Sequence, residues 1–178
     1  MKKLRLLILL FAAANIMMIT SCGDDDDEGD GGGSGNNNFT IDGVTYDLSD
    51  GYLVDYGSNA GYDSYDWDVI LTSSGLVPNT SGATGEGDFV YLDLNTTSST
   101  GLVAGTYDFA DEREVNTIVD GEIGIDFVAS TEEGEFSVVD GGTVTVSING
   151  SVTTVSFDLD LVGGGTATGE FSGVLEEL

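Results

Sequence analysis

At 178 residues the chain has room for one domain of ordinary size. Its 4 Lys+Arg stand against 32 Asp+Glu, and a surface that acidic repels phosphate, which excludes nucleic-acid binding. No His and a single Cys exclude the usual zinc ligand sets, Cys–His and Ser–His–Asp catalysis, and an internal disulfide.

The first elements are not structural. Lys2, Lys3 and Arg5 precede an apolar stretch from Leu6 to Met18. Cations of this kind stay cytoplasmic while the apolar residues enter the translocon, which is the pattern of an export signal. The stretch holds about 13 apolar residues interrupted by Asn15, short of the roughly 20 that a spanning helix needs, so it is not read as a transmembrane anchor. It ends in Ile19-Thr20-Ser21-Cys22.

This tetrad resembles the bacterial lipobox: an aliphatic residue, two small residues, then cysteine. The resemblance implies cleavage between Ser21 and Cys22, a diacylglyceryl group on the Cys22 thiol, and acylation of the new amino group. Two or three acyl chains anchor stably where one does not. Asp24, Asp25, Asp26 and Asp27 follow at once. They resemble the acidic surface-export run of Bacteroidota lipoproteins, which implies the outer leaflet of the outer membrane, facing the medium. A solvated spacer on a lipoprotein of the periplasmic face is the other reading. Residues 1–21 are thus a signal peptide. Residues 22–38, the lipidated Cys with its acidic, Gly- and Asn-rich continuation, form a tether with nothing to bury. As a flexible coil, Gly23 to Asn38 would span roughly 22 Å r.m.s..

From residue 39 to 178 the pattern is that of strands. Phe39-Thr40-Ile41 and Val44-Thr45-Tyr46 flank Asp42-Gly43, a two-residue hairpin turn. Tyr52, Val54 and Tyr56 alternate with Leu53 and Asp55; Gly57 to Ser64 reads as a polar loop. Trp67, Val69 and Leu71 make one apolar face, with Asp66 and Asp68 opposite. Ser73 to Gly87 reads as a long loop. Val90, Leu92 and Leu94 alternate with outward Asp93, and Thr106 to Phe109 is a short strand. Asp111 to Glu114 is a charged turn. Val115 to Val119 leads through Asp120-Gly121 toward Ile123, Ile125 and Phe127, which suggests another hairpin.

The C-terminal third is clearest. Val144, Val146 and Ile148 run to Asn149-Gly150, a strong hairpin turn; Val155, Phe157, Leu159 and Leu161 alternate with Ser156, Asp158 and Asp160. Gly163 to Gly165 reverses the chain, and Ala167, Phe171 and Leu175 share a face of the last strand, with Gly169 and Gly173 marking bends or close packing. The expected fold is all-β: an antiparallel two-sheet sandwich of roughly ten strands, with a closed antiparallel barrel as the alternative.

Three kinds of candidate chemistry follow. Asp66 with Asp68, and Asp158 with Asp160, stand about 6.6 Å apart along their strands, a separation within reach of glycosidase chemistry, but solvent-facing strand positions explain such pairs more simply. Aspartates around Tyr62 to Asp66 and at Asp50-Gly51 offer hard oxygen ligands, yet no EF-hand or Gly-rich calcium repeat is present; weak Ca2+ association is expected and no cofactor. Tyr62, Tyr65 and Asp66 form a possible binding surface, since amphipathic rings beside carboxylates suit sugars and proteins, while Trp67 fills the core. Arg113, the sole fixed side-chain cation after Cys22, pairs with a nearby carboxylate and contributes little. The leading expectation is a non-catalytic module for an extracellular glycan or envelope protein. A small hydrolase using an Asp/Glu pair, and a barrel carrying an apolar ligand, are the alternatives.

Overall fold

The computed structural model describes residues 37–178. Ser21, Cys22 and the acidic run Asp24 to Asp27 lie outside the described residues. Twelve strands follow one another: β1 (Asn38–Ile41), β2 (Val44–Asp47), β3 (Asp50–Ser58), β4 (Tyr65–Thr72), β5 (Leu76–Asn79), β6 (Gly82–Thr96), β7 (Gly105–Phe109), β8 (Thr117–Val128), β9 (Glu133–Asn149), β10 (Val152–Leu161), β11 (Thr166–Gly173) and β12 (Leu175–Glu177).

The protein is all-β, as its alternating pattern predicts. The strands form one curled sheet in the order β12-β3-β4-β6-β8-β7-β9-β10-β11-β1-β2, with β5 attached to β6 alone. This architecture lies between the sandwich and the barrel: one sheet bends round to enclose its own core. Two pairings are parallel, β12 with β3 and β7 with β8; the remainder are antiparallel. β7 inserts as a wedge. The start of β9 pairs with β8, while Val144 to Val146 of the same strand pair with β7 instead.

The Asp42-Gly43 turn falls where expected, and the C-terminal hairpin turns one residue later than expected, at Gly150-Ser151, with Asn149 still paired to Val152. Asp42 and Gly43 take φ of 52° and 80°, and Gly150 takes 64°, the left-handed values that two-residue hairpins require. Three expectations fail. Ser73 to Gly87 is not a loop, because Leu76–Asn79 and Gly82–Thr96 pair as strands; β5 buries only Leu76 and Pro78, too short an alternation to stand out among the small polar residues around it. Asp120-Gly121 is no turn. It lies inside continuous β8, beside a bulge against β6, and the chain reverses instead between Val128 and Glu133. The terminal strand divides after Gly173, so that Leu175 leaves β11's line and pairs with Gly51 of β3.

Inward positions are the apolar parity sets. Trp67, Val69 and Leu71 of β4, Val90, Leu92 and Leu94 of β6, and Val155, Phe157 and Leu159 of β10 are all buried in a single cluster with Phe39, Tyr107 and Phe171. Trp67 donates its indole N–H to the Ser98 carbonyl at 3.0 Å, and the Tyr107 hydroxyl donates to the Val103 carbonyl at 2.6 Å, so the two buried polar tips are satisfied. Gly169 is a close-packing residue: a Cβ there would lie 2.5 Å from the Phe157 ring and 2.8 Å from Phe39 Cβ. The opposite face of the sheet is not wholly wet. Phe89, Phe127 and Phe136 form an aromatic group on it, with centroids 5.5 to 6.4 Å apart.

Candidate functional site

On β4, side chains alternate across the sheet, so the parity that sends Trp67 and Val69 inward sends Asp66 and Asp68 to the outer face. On β6 the same rule sends Asp93 and Asn95 outward. Cross-strand register sets Asp68 opposite Asp93 and Asp66 opposite Asn95. Four polar side chains are thereby collected in a square on two central strands. The expectation that these aspartates face solvent is wrong: Asp66, Asp68, Asp93 and Asn95 are all buried.

What covers them is the connection between β7 and β8. Arg113 reaches back from it, donating from Nη1 to Asp66 Oδ2 (2.7 Å) and Asp93 Oδ1 (3.0 Å), and from Nη2 to Asp93 Oδ2 (2.6 Å). Its pairing with carboxylates is as expected, but its weight is not. Both partners are buried and the guanidinium is two-thirds covered, with 31% of its side chain exposed, so this is no screened surface pair.

A second polar network fixes the same connection from beside. Asn59 donates to Asn95 Oδ1 (2.7 Å) and to Ser64 Oγ (3.0 Å), and Ser64 donates in turn to the Arg113 carbonyl. Asn95 donates to Thr117 Oγ1 (3.3 Å), whose hydroxyl donates to the Glu114 carbonyl (2.8 Å). The β3–β4 and β7–β8 loops are thus tied to each other through buried side chains of β6 and β8.

Burial sets the protonation of the acids. Asp68 is pushed up to about 8, first by loss of water and then by the charges of Asp93 and Asp66; Tyr91 and Arg113 act in the opposite sense. Asp93 is raised to about 6, burial outweighing its Arg113 hydrogen bonds. Tyr91 and Tyr56, both neighbours of Asp68, are raised by burial and by these carboxylates. At neutral pH Asp68 therefore carries a proton, while Asp93 faces the guanidinium as an anion.

Two oxygens remain unmatched. Among the described residues Asp66 Oδ1 and Asp68 Oδ1 are buried with no hydrogen-bond partner, although one carboxylate oxygen from each of Asp66, Asp68 and Asp93 lies within 4.8 Å of the others.

The sequence-predicted surface of Tyr62, Tyr65 and Asp66 is divided by the fold. Tyr62 is exposed and donates its hydroxyl to Glu112 Oε2 at 3.1 Å. Tyr65 packs against the core, a correction that follows from its sharing the parity of Trp67. Asp66 lies beneath Arg113. The predicted calcium ligands do not assemble either: Asp63 is exposed in its loop, and Asp50 pairs with Thr72 at the far end of β4 from Asp66. Asp158 and Asp160 are exposed, as expected. Sequence reasoning missed Tyr56, Tyr91, Asp93, Asn59 and Asn95 as members of one site; the signal available was the outward parity shared by Asp66, Asp68 and Asp93 on adjoining strands. Compared with family models, curated proteins and solved structures, the chain matches none of them.

Proposed function

We propose that the chain is a lipid-anchored protein of the outer membrane, facing the medium, whose β domain is a non-catalytic binding module for an extracellular glycan. Support for the binding half comes from one observation. Tyr56, 61% exposed, stands beside Asp68 on the outer sheet face, and exposed Tyr62 stands at the rim of the same loops. Rings of this kind stack on the apolar faces of sugars while carboxylates and amides accept from their hydroxyls. The anchor rests on Ile19 to Cys22 and the address on Asp24 to Asp27.

A hydrolase reading has one observation in its favour: a carboxyl kept protonated beside an ionised one is the combination that glycoside hydrolysis uses. Against it, Arg113 holds both oxygens of Asp93, which leaves the base or nucleophile engaged. A glycan array probed with the domain separates the readings. Binding without release of reducing ends, weakened about fivefold by Tyr56→Ala for the loss of roughly 1 kcal/mol of stacking, supports the module; sugar release that Asp68→Asn abolishes supports the hydrolase. An array with no bound glycan removes the sugar from the proposal.

The anchor has its own test. Cys22→Ala is expected to leave a longer, unlipidated precursor that migrates more slowly. Normal processing of that variant would refute the lipobox reading.

A further inference from the structure

We infer that Asp66, Asp68 and Asp93 together hold a hard divalent cation, Ca2+, on the outer face of β4 and β6, with Arg113 clamped behind it. Four features of the site converge on this.

The first is geometric. One oxygen from each of the three carboxylates lies within 4.8 Å of the others. An ion that takes its ligands at 2.3–2.6 Å accepts ligand separations up to about 5 Å across its centre. The second is the pair of orphaned oxygens. Asp66 Oδ1 and Asp68 Oδ1 are buried and have no hydrogen-bond partner among the described residues, and their residues are each only 5% exposed. Removing a carboxylate oxygen from water without replacing its partner is costly. Two such oxygens on i and i+2 of one strand, facing the same way, are matched by a single cation rather than by two separate donors.

The third feature is charge. Three carboxylates and one guanidinium leave a formal −2 when all are ionised, and a divalent ion cancels it on displacing the Asp68 proton to solvent. The fourth is donor chemistry. Every ligand atom is an oxygen and the chain has no His, which suits a hard cation and not a soft one. Arg113 leaves Asp66 Oδ1 and Asp68 Oδ1 free and takes one lone pair on each oxygen of Asp93, so Asp93 would ligate through an oxygen that also accepts from the guanidinium. Arg113 engages Asp66 through Oδ2, leaving Oδ1 to the ion, and it fixes the Asp93 carboxylate in place as an outer partner does for a metal ligand. The strands that carry the ligands are central in the sheet and need not move. Water completes the shell, so the affinity falls in the range of extracellular calcium modules, about 10⁻⁴–10⁻³ M. The site stands whether or not a glycan binds beside it.

The test is calorimetric titration of Ca2+ into the full chain, purified in detergent and stripped with chelator, at near-physiological ionic strength so that diffuse association with the other acids is screened. One ion per chain is expected. Asp68→Asn should weaken it about tenfold or more, for the loss of one charged ligand, and Asp158→Asn, on an exposed strand position, should leave it unchanged. Absence of a one-site isotherm, or equal affinity in Asp68→Asn, overturns the inference. Should circular dichroism show Asp68→Asn misfolded, Asp66→Asn replaces it under the same criteria.

Discussion

Replacing Arg113 by Met is expected to destabilise the protein by about 3 kcal/mol at pH 7, the low end for removing one partner of a buried ion pair. The low end applies because the guanidinium keeps 31% of its side chain in contact with solvent. The loss has a specific origin. With Arg113 gone, Asp93 is buried with neither oxygen paired, and Asp66 loses its only side-chain donor. Nothing else after Cys22 can substitute, since no other fixed side-chain cation follows it. Arg113→Lys should fall between, because an ammonium can meet one oxygen but cannot span two carboxylates with a planar fork. Asp93→Asn in the Arg113→Met background should recover part of the loss by removing the stranded charge. Urea unfolding midpoints measure each step. A shift below about 1 kcal/mol for Arg113→Met would return the pair to the class of screened surface contacts.

The second large effect is on pH. Asp68 in the folded chain is raised to about 8 from the ordinary 3.8, by burial first and by Asp93 and Asp66 next. Between those values the folded state holds a proton that the unfolded state has released. Stability is therefore greatest at the acid end and is lost as pH rises through 8, with a slope of up to about 1.4 kcal/mol per pH unit from this one group. Asp93, raised to about 6, and Glu122, raised by burial and then by Asp120, act in the same direction. From pH 5 to pH 8, in chelator, the protein should lose on the order of 5 kcal/mol, most of it from Asp68. The groups that face Asp68 are Asp66 on its own strand, Asp93 and Tyr91 on β6, Tyr56 on β3, and Arg113 from the β7–β8 connection. The Tyr91 hydrogen bond and the Arg113 charge oppose the trend. Asp68→Asn should flatten the profile and exceed the wild type at pH 8. A stability that rises with pH across this window would show that Asp68 is folded as an anion.

Both results depend on one cover, and that cover was only partly legible. The outward parity of Asp66 and Asp68 follows from Trp67 and Val69 facing in, and Asp93 is outward by the same argument from Leu92 and Leu94. What parity does not convey is whether an outward face is wet. It is dry here because a connection returns across it, bringing Arg113 to Asp66, 47 residues away in sequence, and to Asp93, 20 away. The same connection explains why Arg113 has the wrong weight when judged from its neighbours Glu112 and Glu114. Asn59, Asn95 and Thr117 were unremarked for a related reason. Each is an ordinary polar residue at a strand or loop end, and only their convergence makes a buried network of them.

Turn chemistry was the most readable layer. Asp42-Gly43 and Gly150 bend the chain because their backbones accept positive φ, whatever surrounds them. Asp120-Gly121 carries the same dipeptide and does not turn, since pairing to β6 on one side keeps it extended. Ser73 to Gly87 misled in the opposite direction, its strands being held by backbone pairing with an apolar stripe too short to announce them.

By itself the sequence determined that the chain is all-β, which positions face the core, and where its clearest hairpins lie, because these depend on local alternation and on residues with unusual backbone freedom. It also carries the whole case for an export signal and for acylation at Cys22, which rests on contiguous residues. The tertiary structure decided that the strands form one curled sheet, that β7 wedges between the start of β8 and the end of β9, and that three outward aspartates and a distant arginine share a buried site. Those outcomes turn on which strands become neighbours and on what crosses their outer face. Both are set by contacts between residues far apart in the chain, and no local pattern specifies them.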